Sequence, residues 1–131
     1  MDINALKQDR DLAETGVWVD YEDASFLICS TDSKRYRRAV TRIAKKRNPA
    51  SLRKDPEAMH EVTVESLAEG ILIDWKNVKD GDRDMPATLE NKIRVCGIES
   101  IRTFLATEAQ DLNNFQREAL AEDAADLKSG D

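Results

Sequence analysis

The segment "GVWVDYEDASFLICS", residues 16–30, limits the fold more than any other. Val17, Val19 and Tyr21 alternate with Trp18 and Asp20. Phe26, Leu27, Ile28 and Cys29 form a second extended run, and Glu22-Asp23-Ala24 can turn between the two. Alternation of this kind predicts a β-hairpin. A hairpin alone is marginal in water. It must pack on helices or join a neighbour's sheet, so a chain that contains it and is otherwise helical is α+β.

The rest of the sequence supplies helices. Residues 2–14 either make a short helix or stay loose. After the hairpin, Asp32 or Ser33 can cap a helix in which Tyr36, Ala39, Val40, Ile43 and Ala44 form one apolar stripe. Asn48-Pro49 stops it, and an exposed connector runs to Lys54. Asp55-Pro56-Glu57 is a helix start, with a cap, a proline at the first helical position and an acid in the first turn. That helix is expected to run to about Trp75, with Val64, Leu67, Ala68, Ile71, Trp75 and Val78 keeping one apolar stripe. Val62-Thr63-Val64 and Gly70 weaken it, the glycine by about 1 kcal/mol relative to alanine. Asp80-Gly81 is a turn dipeptide. Thr88 then caps a helix through Cys96, with Gly97 as a left-handed stop. A last helix is predicted from about Ile98 to Leu127, about 45 Å long at 1.5 Å per residue. Either Asn113-Asn114 breaks it, or its acidic end projects or meets a partner. The expected architecture is α+β and mostly α-helical, an N-terminal β-hairpin followed by about four helices. The expected divisions are an N-terminal segment 1–15, one hairpin-plus-helical domain 16–127, and a disordered tail 128–131.

Charge divides the chain more sharply than hydropathy does. Charged residues make up 35% of the sequence and the net charge is −6. Residues 1–33 carry two bases against eight acids, residues 34–54 ten bases and no acid, and residues 55–131 eight bases against eighteen acids. One basic segment between acidic ones suits nucleic acid. It equally suits an assembly in which basic and acidic faces meet. A helix-turn-helix would need a second helix close behind the basic one, where a proline-containing connector intervenes. The overall acidity also opposes a dedicated DNA binder.

The other candidate sites reduce to structure. Asp80, Asp82 and Asp84 at alternate positions could begin a calcium loop, which needs glycine at position 6 and glutamate at position 12. Met85 and Asn91 stand there instead. Cys29 and Cys96 read as small buried hydrophobes, and the single histidine, His60, as a helix residue. No P-loop, GxSxG, HExxH or dinucleotide fingerprint occurs. No cofactor, metal or catalytic role is therefore expected. No apolar run approaches the roughly 18 residues of a membrane span, and the charged "MDINALKQDRD" has no signal-peptide core, so a cytosolic setting is expected.

Taken in order, "VWVDY…FLICSTDSKRYRRAVTRIAKKR", "LAEGILIDWKNVKDGDRDMPATLENKIRVC" and "FLATEAQDLNNFQREALAEDA" resemble the small tail assembly chaperones of long-tailed, siphovirus-like bacteriophages over about residues 16–122. The shared features are a "DSxxYRxA" helix after a hairpin, an apolar "WxxV" before an Asp/Gly turn and proline, and a closing "AxDxxNF" run. Many relatives have a shorter or less acidic segment after that turn. The resemblance implies a non-enzymatic protein that binds the tape-measure protein, and in some cases tail-tube subunits, during tail assembly. It also implies self-association, residence in the bacterial host cytoplasm and absence from the mature virion. On this reading Trp18, Tyr36, Ile71, Trp75 and Phe115 are structural anchors. Arg35, Arg38, Arg42, Lys45 and Lys46 form a charged partner-binding face. The competing reading is a small phage-encoded nucleic-acid-binding or host-interfering protein acting through residues 34–54.

Overall fold

A computed structural model describes residues 1–116. The hairpin forms as expected, β1 (Val17–Tyr21) pairing antiparallel with β2 (Ala24–Ile28). The turn residue Glu22 takes a left-handed φ of 54°. Ahead of it, one 3-10 turn (Ile3–Leu6) and α1 (Arg10–Thr15) are bound to the body of the protein. Ala13 is fully buried, Ser30 N–H donates to the Ala13 carbonyl at 3.0 Å, and Asp9 N–H donates to the Phe115 carbonyl at 2.7 Å.

Helices α2 (Lys34–Lys45) and α4 (Pro56–Gly70) follow their predicted starts, capped by the side chains of Ser33 and Asp55. Between them the expected connector is instead the short helix α3 (Pro49–Lys54), capped by Asn48 and exposed along most of its length. Proline at its first position and a side chain accepting from Ala50 N–H suffice for one and a half turns.

The largest departure from expectation lies at residues 71–76. The helix predicted to reach Trp75 ends at Gly70, and β3 (Leu72–Lys76) pairs antiparallel with β2. Ile71, Leu72 and Trp75 suit either a helical stripe or a buried strand, and local periodicity does not separate the two. The decision comes from β2, far back in the chain, whose open edge carries backbone groups that need partners. The pairing sets Leu72 opposite Ile28 and Trp75 opposite Phe26. A Cβ at Gly70 would come within 3.0–3.1 Å of Tyr36 and Ala39, so the glycine lets α4 approach α2 closely.

The sheet has the order β1-β2-β3. Its inner face carries Val17, Val19, Phe26, Ile28, Leu72 and Trp75 into one core with Val64, Leu67 and Ala68 of α4. Phe26 and Trp75 meet edge to face with ring centroids 6.4 Å apart, and the rings of Tyr21 and Phe104 lie 4.9 Å apart. Residues 79–86 hold a small hairpin, β4 (Lys79–Asp80) with β5 (Arg83–Asp84), turning at Gly81 with φ +64°. It is tied to the core by Trp75 Nε1–H, which donates to the Met85 carbonyl at 2.7 Å.

Thr88 caps α5 (Leu89–Cys96). Gly97 is not left-handed as expected: its φ of −68° and ψ of −19° are right-handed, and α6 (Glu99–Gln110) follows at once. The predicted long last helix stops at Gln110. Asp111 leaves helical geometry and accepts from Asn113 N–H, and Asn114 donates to the Glu108 carbonyl at 2.9 Å. One 3-10 turn (Leu112–Phe115) then buries Phe115 completely. The expected continuation to Leu127 and the tail 128–131 lie outside the described residues. The architecture is mixed α+β, with a three-stranded sheet, a small second hairpin and six α-helices among the described residues, in place of one hairpin and about four helices.

Candidate protein-interaction face

Helix α2 positions the basic segment. Ser33 is fully buried, and its Oγ accepts from Tyr36 N–H at 3.1 Å, which fixes where the helix begins. Ala39 and Ile43 are buried and Tyr36 and Val40 half-buried, so the bases between them face outward. Ala44, expected on the buried stripe, is exposed.

Arg35, Arg38 and Arg42 line one open cleft with Lys34, Glu14 and Glu69. Glu14 accepts from Lys34 N–H at 2.9 and 3.1 Å, a carboxylate at a helix N-terminus where the helix dipole favours it. Arg35 Nε–H donates to the Glu69 carbonyl at 3.2 Å, and Arg42 pairs with the Glu69 carboxylate. Arg37 shares Asp32 with Arg10, and Arg47 pairs with Glu61 and Glu65. Arg38, Lys45 and Lys46 meet no carboxylate among the described residues. Burial, followed by the nearby Arg35 cation, holds the Lys92 amine below the ordinary lysine range.

On another side of the same helix, α2, α4 and α6 border a groove of about 280 Å³. Tyr36, Val40, Val62 and Ala106 give it half-buried apolar walls beside the buried Leu67, and Thr31, Thr63, Ser66 and Gln110 add polar lining. It lies just below the roughly 300–1,000 Å³ usual for small-molecule sites.

The anchor residues fall in different places. Ile71 and Phe115 are fully buried, Trp75 is 7% exposed, and Tyr36 is half-buried between α2 and α4. Trp18 is a correction: at 42% exposure it stands on the outer face of the sheet, with Lys76 Nζ 4.1 Å from its ring centroid. The alternation of β1 puts Val17 and Val19 inward, so Trp18 must point out. Sequence reasoning missed Glu14, Glu69 and the α4 and α6 walls of the groove, which only tertiary packing brings to α2.

The thiols of Cys29 and Cys96 are fully buried, and burial pushes Cys96 up to about 12. Among the described residues, no group of three or more His, Cys, Asp or Glu side chains is placed to hold a metal ion, and no helix is long and apolar enough to cross a membrane. No curated protein and no solved structure matches the chain. A family described as YdaY prophage protein matches residues 31–126, from just ahead of the basic helix past the last described residue. The chain is phage-derived and belongs to the YdaY prophage protein family.

Proposed function

We propose that this protein is a phage tail assembly chaperone that binds the tape-measure protein, and in some assemblies tail-tube subunits, while the tail is built. It acts without catalysis or cofactor, in the cytoplasm of the bacterial host, and is left out of the mature virion. The observation that carries this reading is the groove between α2, α4 and α6, in which Tyr36, Val40, Val62, Leu67 and Ala106 offer apolar surface among polar Thr31, Thr63, Ser66 and Gln110, walled by the helix that bears the basic residues. Phage origin supports it, as does the order of hairpin, basic helix, Trp75 and Asp/Gly turn on which the resemblance rests. A long helical partner exposes apolar stripes before assembly, and a helix-in-groove contact covers such a stripe reversibly. The test is co-expression with the tape-measure protein of the same phage. The two should co-purify, and Val40→Asp should lose the partner while keeping its helical circular dichroism. A chain that stays wholly unbound would sink the proposal.

A second reading, nucleic-acid binding through residues 34–54, draws on bases of that segment such as Arg38, Lys45, Lys46, Arg53 and Lys54, which meet no carboxylate among the described residues. It predicts salt-sensitive binding to DNA or RNA. A flat gel-shift titration at low salt would end it.

A further inference from the structure

We infer that the acidic C-terminal segment of this chain, residues 117–131, docks on the basic outer face of its own α2. The face is under-neutralised: Arg38, Lys45 and Lys46 meet no carboxylate among the described residues, while Arg42 and Arg37 already hold Glu69 and Asp32. The segment has the complementary charge, with five acids against Arg117 and Lys128. Glu118, Glu122 and Asp126 recur every four positions in the sequence, and on α2 Arg38, Arg42 and Lys45 recur at four and three, the spacing of one helix face. At 1.5 Å per residue the basic row spans about 10 Å along α2.

The chain also leaves the described region in the right place. Gln116 donates to the carbonyls of Ala5 and Lys7 at 2.9 and 3.3 Å, and the Phe115 carbonyl is held by Asp9 N–H. From Asp9, α1 leads to Glu14, which contacts Lys34 at the start of α2. That path is about 8 Å of helix. The segment 117–131 is ample to reach the basic row. This inference goes beyond the tail-assembly reading and does not depend on it.

The test is paramagnetic relaxation in the full chain, with a nitroxide on Ser129→Cys; Cys29 and Cys96 are buried and do not compete for the label. At low salt the amides of Arg38 to Lys46 should broaden. The broadening should vanish near 1 M salt, where screening acts over about 3 Å, and in E118K/E122K/D126K. It should return when that variant also carries R38E/R42E/K45E. Broadening that survives salt and charge reversal would overturn the inference, as would no broadening at all. Broadening seen only between labelled and isotope-labelled molecules in a mixture would also overturn it, assigning the face to a second copy.

Discussion

Helix α2 and the loop at residues 79–86 are the two conspicuous charge clusters of this chain, and the fold treats them differently. The loop turns on Gly81, pairs Asp80 with Arg94 at 2.9 Å, and is fastened to the core by Trp75. It joins two elements and lines none of the groove between α2, α4 and α6. Helix α2 also has a buried side, Ala39 and Ile43, but its Arg38, Lys45 and Lys46 meet no carboxylate among the described residues, and it forms one wall of that groove. A charge run becomes a candidate interface where the fold leaves it unpaired on an element that also offers apolar surface. The spacing of the charges alone does not reveal this.

The comparison can be broken first at its anchors. Trp75→Ala should destabilise the protein by about 3–5 kcal/mol, the usual cost of emptying a buried aromatic site. The loss should appear in urea unfolding, together with rapid amide exchange across residues 79–86. A cost below about 1 kcal/mol would mean that the loop does not depend on the core. Gly70→Ala should cost about 1–3 kcal/mol through overpacking against Tyr36 and Ala39. It should also weaken partner binding, because it pushes apart two walls of the groove.

Smaller effects sharpen the contrast. Glu69→Gln removes an exposed ion pair with Arg42 and should change stability by no more than about 1 kcal/mol. In the loop, D80N/D82N/D84N should leave the thermal midpoint insensitive to added calcium, as it is expected to be in the parent. A calcium-dependent rise in the parent that the variant loses would restore the metal reading. Finally, the Cys29 and Cys96 thiols, raised by burial, should remain protonated and unreactive toward a disulfide reagent at about pH 8, below the ordinary thiol value, until the chain unfolds. Fast labelling of the native protein would show that the core opens.

Local chemistry makes much of this fold legible. Alternation marks the hairpin, Ser33, Asp55 and Thr88 mark helix starts, and apolar spacing puts the bases of α2 outside. What escapes is set by distant residues. Strand β3 exists because β2 has an edge to pair, and α6 ends because Asp111 caps the 3-10 turn that follows and Asn114 donates to the Glu108 carbonyl. The bulk of Trp18 suggests the core, although the alternation that reveals the strand already places it opposite Val17 and Val19. At the candidate site the basic residues are readable, whereas Glu14, Glu69, Val62 and Ala106 come to α2 from three other helices.

The most direct test of the central claim is calorimetric titration of the tape-measure protein into the parent chain and into Val40→Asp. Binding by the parent, weakened at least about tenfold or about 1.4 kcal/mol in the variant, is the predicted result. No binding by the parent, or equal affinity for both, would contradict the claim that this groove receives the partner.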